Sequence, residues 1–83
     1  MNITFKLYAG LSHYLPKGSV RNSINLNITT LETTYSIIEK FNIPRDSAHL
    51  VLLNGIYLDA DEREKFKFKE GDILAIWPPV AGG

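Results

Sequence analysis

Helical periodicity marks one clear stretch of this chain, from Leu31 to about Phe41, while the other apolar residues fall in short alternating runs. That contrast limits the fold more than any other feature. Leu31, Tyr35 and Ile38 stand at i, i+4 and i+7, and Ile37 and Phe41 widen the stripe. Thr29 with Glu32 has capping-box spacing, and Thr30 is an equally good N-cap by itself. Asn42 ends the helix and Pro44 forbids its continuation. A helix of about three turns is not stable alone in water. It must therefore lie on a sheet.

The alternating runs supply that sheet. Ile3, Phe5 and Leu7 alternate with polar residues over Asn2 to Tyr8, with Tyr8 on the polar side. Ala9 to Ser23 reads as a connection with one helical turn, in which Leu11, Tyr14 and Leu15 share a face before Pro16 and Gly18 stop it. Ser23 to Ile28 is a second strand, with Ile24, Leu26 and Ile28 inward. Asn54-Gly55 between Leu50–Leu53 and Ile56–Leu58 is a strong hairpin signal. That turn sets Leu53 against Ile56 and Val51 against Leu58 on one face, and Leu52 against Tyr57 on the other. Asp59 to Glu64 reads as polar loop, Glu70-Gly71-Asp72 as a turn and Ile73 to Trp77 as the last strand. Pro78-Pro79 cannot donate backbone hydrogen bonds and ends it. The expectation is α+β: a mixed sheet of four to five strands with one main helix packed across it. Residues 1–77 form the expected domain and 78–83 an extended tail.

Bulk properties narrow the function. Hydrophobic residues make up 45% of 83, enough for a small core. There is no cysteine, which excludes disulfides, a thiolate zinc site and a sulfur nucleophile or persulfide on the chain itself. Nine basic residues balance nine acidic ones, so nucleic acid and anionic membranes are not expected partners. No apolar run approaches the roughly 20 residues of a membrane span, and MNITFKLYAG lacks the features of a secretory signal. A cytoplasmic location is expected.

Motifs for chemistry are few. His13 and His49 each stand alone, without the partners that catalysis or metal binding needs. REKFKFKEGD interleaves lysines with aromatics, but this pattern also describes an extended segment with Phe66 and Phe68 inward. The carboxylates Asp59, Asp61, Glu62 and Glu64 lack EF-hand spacing. Phosphate-binding, dinucleotide and nucleophile-elbow motifs are absent. The chain offers no catalytic apparatus of its own, and no metal site.

What remains is WPPVAGG, Trp77 to Gly83. Pro78 and Pro79 set a stiff exit, Val80 and Ala81 are small, and Gly82 and Gly83 carry no Cβ to block close approach. Six extended residues reach on the order of 20 Å. Such a tail suits the delivery of one carboxylate deep into a partner's active site. A carboxylate can attack the α-phosphate of ATP to give an acyl-adenylate, which a sulfur nucleophile then converts. The Mg²⁺, phosphate contacts and thiolate must come from an enzyme partner.

LYAGLSHYL, VLLNG, FKEGDILAIW and PPVAGG, together with the order of elements, make this chain resemble the MoaD/ThiS-type sulfur carriers of β-grasp, or ubiquitin-like, fold. The resemblance implies that Gly83 is adenylated by a ubiquitin-activating-like adenylyltransferase using ATP and Mg, and becomes a thiocarboxylate. Gly82, with Pro78, Pro79, Val80 and Ala81, would thread the channel. The sulfur would pass to an acceptor such as a molybdopterin synthase large subunit. The resemblance also implies docking through Trp77, with Tyr8 on the neighbouring first strand and Leu52 outward on the hairpin. The double proline favours the molybdopterin branch over the usually shorter thiamine carriers, which stay an alternative, and the long connection HYLPKGSVRNS leaves room for a tungsten-pterin, cysteine or other sulfur acceptor. Two further readings stand beside this one: a modifier joined through Gly83 to lysines, and an interaction module whose tail is incidental.

Overall fold

The computed structural model of the protein describes residues 1–79. The strands are β1 (Asn2–Leu7), β2 (Ser23–Asn27), β3 (Leu50–Leu53), β4 (Ile56–Tyr57) and β5 (Ile73–Trp77), and the α-helices are α1 (Thr34–Lys40) and α2 (Ala60–Lys65). The strands form one sheet in the order β2-β1-β5-β3-β4. β1 and β5 run parallel, and the other pairs are antiparallel. This is the expected mixed sheet, with all five strands present.

One face of the sheet is dry. Ile3, Phe5 and Leu7 of β1, Val51 and Leu53 of β3, and Leu74 and Ile76 of β5 are buried against Ile37 and Ile38 of α1. The Phe5 and Phe41 rings meet at 5.1 Å between centroids. Leu11, on a 3₁₀ turn over Ala9–Tyr14, closes one end of this core, with Tyr14 and Leu15 packed against it. β2 is an edge strand, so Ile24 and Leu26 are only half-buried, and Ile28 reaches the core from just beyond it.

Three local expectations are corrected. α1 starts at Thr34, not at Leu31, and Leu31 is 79% exposed. Its cap is Thr33, whose Oγ1 accepts from the Ser36 N–H at 3.2 Å while the Ser36 hydroxyl accepts from the Thr33 N–H at 2.8 Å. Thr29 instead closes a preceding turn, accepting from the Leu31 N–H. The buried stripe is therefore Thr34, Ile37, Ile38 and the half-buried Phe41, with Tyr35 to one side. Second, Asp59 to Glu64 is not loop. Asp59 and Glu62 form a reciprocal capping box and α2 follows. Third, β1 ends at Leu7, because Ala9 adopts a φ of 52° and turns the chain aside.

Other signals hold. Asn42, at φ 61°, ends α1 with the 5→2 and 6→1 bonds of a Schellman motif: Asn42 N–H to Glu39 O and Ile43 N–H to Ile38 O. Asn54 and Gly55 both have positive φ, which fits a tight hairpin turn, and Leu52 pairs with Tyr57 and Leu53 with Ile56 as expected. Val51 and Leu58 are buried together, but Ile56 is exposed because β4 is short and at the edge.

Glu32, just before α1, accepts from the Ser36 hydroxyl and pairs with Lys40 one turn and more ahead. The hydrogen bond from Lys40, then that from Ser36, holds the Glu32 carboxyl below its usual value of 4.5. A depressed carboxyl pKa adds stability that is complete above the unfolded value and is lost as pH falls through the folded one. Glu32→Gln should therefore cost stability at about pH 6, and the cost should shrink as pH falls below about 4. Urea midpoints of the two proteins in both pH ranges check this; an equal gap in both would assign the effect to packing.

Candidate functional site

The opposite sheet face is open. Lys6 lies on β1 and Tyr8 just after it, Ala75 and Trp77 lie on β5, Leu50 and Leu52 on β3 and Tyr57 on β4, all with one side-chain parity. The register brings Lys6, Ala75, Leu52 and Tyr57 into one row across the sheet, and Trp77 beside Leu50 into the next. Tyr57 is 53% exposed, Ile73 and Leu50 are also exposed, and Tyr8, Leu52 and Trp77 are half-buried. Among the described residues no helix layers over this apolar strip.

The structure joins two of the three residues expected to dock. The Tyr8 and Trp77 rings stack with centroids 4.2 Å apart and planes 2° apart. Leu52 lies on the same face, two residues from Leu50, the pairing partner of Trp77.

The point where the chain leaves the sheet is held from both sides. Tyr8 N–H donates to Ile76 O at 3.0 Å, and His49 N–H donates to Trp77 O at 3.0 Å. Pro78 and Pro79 follow without donors of their own. Val80, Ala81, Gly82 and Gly83 lie outside the described residues.

Sequence reasoning missed Arg63, which braces this exit from behind. It projects from α2, is 8% exposed, and donates to three backbone carbonyls: Leu58 at 2.8 Å, Ala48 at 3.1 Å and His49 at 3.1 Å. The guanidinium also lies 5.7 Å from the Tyr57 ring. His49 thus accepts from Arg63 and donates to Trp77 through one residue's backbone. Arg63→Met keeps much of the volume but leaves three carbonyls without their donors. The expected cost is about 2–4 kcal/mol, or roughly 10–25 °C in Tm for a domain of this size. A thermal melt checks it; a shift of only a few degrees would mean that water replaces the guanidinium.

The histidines stay apart from this site. His13 is exposed and bonds Gly10 O, and the His49 side chain is exposed. Among the described residues no three His, Cys, Asp or Glu gather to hold a metal. No helix among them is long and apolar enough to cross a membrane. Phe68 is buried and Phe66 half-buried while Lys65, Lys67 and Lys69 point out, so the phenylalanines of that segment serve the core.

The family model described as Mut7-C ubiquitin matches residues 1–81. The chain belongs to the Mut7-C ubiquitin family. No curated protein matches it in sequence. Among solved structures, a chain of the complex of subunits 1 and 2 of molybdopterin-converting factor from Helicobacter pylori 26695 is similar, with a TM-score of 0.64 and 16% identity over 100% of both chains. SAMP1 from Haloferax volcanii is similar with a TM-score of 0.65 and 23% identity, again over 100% of both. The β-grasp, ubiquitin-like fold expected from the sequence is thus found.

Proposed function

We propose that this chain is a sulfur carrier that works through the carboxyl of Gly83. The observation that supports this best is the pairing of a fixed exit with an open face. The chain is held at Ile76 and Trp77, leaves through two prolines, and does so beside a stacked Tyr8–Trp77 pair on an apolar strip. A partner gripping that strip receives the tail at a set position and direction.

The chemistry balances without any residue of the fold reacting. The Gly83 carboxylate attacks the α-phosphorus of ATP; the bond to the β-phosphate breaks and pyrophosphate leaves. A hydrosulfide then displaces AMP from the acyl-adenylate and leaves a thiocarboxylate. Where the sulfur comes as an enzyme persulfide, a second enzyme thiol cleaves the resulting S–S bond and forms a disulfide. A ubiquitin-activating-like adenylyltransferase supplies ATP and Mg²⁺. Catalysis on this reading belongs to the partners. The similar chain in a two-subunit molybdopterin-converting factor supports a large-subunit acceptor and sulfur delivery to a molybdenum or tungsten pterin cofactor.

A second reading is a ubiquitin-like interaction module in which docking alone does the work. The family model is described only as a ubiquitin domain, which supports this reading equally. Intact mass spectrometry of the protein from its native cells separates the two. A fraction heavier by one sulfur in place of one oxygen, located at Gly83, supports the carrier. Covalent adducts on lysines of other proteins would make it a modifier, and a native polypeptide continuing past Gly83, with no sulfur, would leave only the module.

A further inference from the structure

The chain is neutral in sum, but its charges are not mixed. Residues 1–31 contain Lys6, Lys17 and Arg21 and no acid, and all nine acidic residues lie at Glu32 or beyond. The fold turns this asymmetry into a surface. Lys6, Tyr8, Val20, Arg21, Asn22 and Ser23 line a shallow groove where β1 and β2 meet. It adjoins the open strip, since Tyr8 belongs to both. It also lies at the end of the sheet from which the chain departs.

Two features set this groove apart from ordinary solvated surface. Val20 is 72% exposed, an apolar side chain beside two cations. Arg21 occupies a tight reverse turn in which Val20 and Ser23 exchange both backbone bonds, at 3.0 and 3.1 Å. Its φ is 59°, a region that disfavours a side chain with Cβ. Glycine or asparagine would suit the turn better, so the backbone does not account for an arginine there. The ion pairs among the described residues, Lys40–Glu32 and Arg45–Glu39, involve neither Lys6 nor Arg21.

We propose that this groove seats an acidic segment of a protein partner, with its carboxylates on Lys6 and Arg21 and an apolar side chain against Tyr8 and Val20. The inference rests on the reading of the open strip as a docking face, and it names the partner's chemistry there. The charge complement is one-sided, because two cations and no acidic residue line the groove. Guanidinium–carboxylate contacts add geometric selection to the attraction.

The test is an NMR titration of the full chain with a short capped peptide carrying Glu and Leu in alternation, beside its Gln counterpart. The expected result is amide shifts at Lys6, Tyr8, Val20 and Arg21 that weaken as salt rises. The Gln peptide should bind at least about tenfold more weakly, as should Lys6→Glu/Arg21→Glu. Arg21→Gly should bind several-fold more weakly yet melt at the same temperature or higher, since it relieves the turn. A purely structural Arg21 would give the opposite pattern. Equal binding of the two peptides, shifts confined to another surface, or no binding overturns the proposal. So do two rival occupants. Shifts at these residues that grow with protein concentration would assign the groove to a second copy, and the same shifts on truncation after Pro79 would assign it to the chain's own tail. The peptide readout needs no chemistry at Gly83. A chain lacking Gly83 should bind equally, so failure of the groove and failure of the sulfur reading are seen separately.

Discussion

On the sulfur-carrier reading, removing Gly83 should abolish adenylation and sulfur transfer while leaving the melting temperature within about 3 °C. The deletion touches no residue of the core, and surface or terminal changes of this kind move stability by only about 0.5 kcal/mol. The chemical effect is large because of reach. One residue fewer retracts the carboxyl by about 3.5 Å. Reacting atoms must approach to roughly 3–3.5 Å, and a misplacement of about 1 Å can cost about 100-fold. The prolines and the anchored Trp77 carbonyl prevent the scaffold from sliding forward to compensate. The new end is still a glycine, Gly82, so loss of activity would reflect distance and not the type of residue. The comparison is pyrophosphate release with the activating enzyme, and native mass spectra of the full and shortened chains. A shortened chain that still acquires sulfur would end the argument from reach, and one that supports function without acquiring sulfur would end the carrier reading.

Phe5→Ala should remove most of the fold's stability. Phe5 is fully buried on β1, which is paired on both edges, and its ring packs against Phe41. Phenylalanine to alanine in such a site costs about 3–5 kcal/mol. A chain of this length has roughly 4–12 kcal/mol in total. Phe5→Leu fills much of the same space and should cost only about 1–1.5 kcal/mol. Urea unfolding followed by far-UV circular dichroism checks both. A small effect of the alanine would mean that α1 settles into the gap through Ile37 and Phe41.

What the sequence disclosed follows the physics of each signal. The Asn54-Gly55 turn and its register were legible because two positive φ values leave few residue choices. Alternation placed Ile3, Phe5 and Leu7 inward because strand period is strict. The start of α1 was not legible: Thr29, Thr30 and Thr33 are all capping residues, and Thr33 wins through a serine at the reciprocal position. Leu31 then stays outside because its stretch is a turn. α2 was hidden because ADEREK carries no apolar stripe, although Asp59 and Glu62 had capping-box spacing. Its buried face is a single charged side chain, Arg63, and charge normally signals exposure. At the site, parity turned Tyr8 and Leu52 outward, while the family resemblance was needed to set Trp77 beside them. The stacking of two of them and the strain at Arg21 required the backbone path.

The parallel joint between β1 and β5 has a consequence for how the protein is made. Thr4 meets Ile73 and Leu7 meets Ile76, so the centre of the sheet unites segments almost a whole chain apart. Synthesis proceeds from the amino end at about 5–20 residues per second. Throughout that time β1 has β2 on one side and nothing on the other. Pairings of such long range fold slowly, and this one cannot begin until residues 73–77 have been added. A chain broken off earlier leaves one edge of β1 unpaired. The order of translation thus makes the central joint of the sheet, and with it the fixed exit at Trp77, the last part of the fold to form.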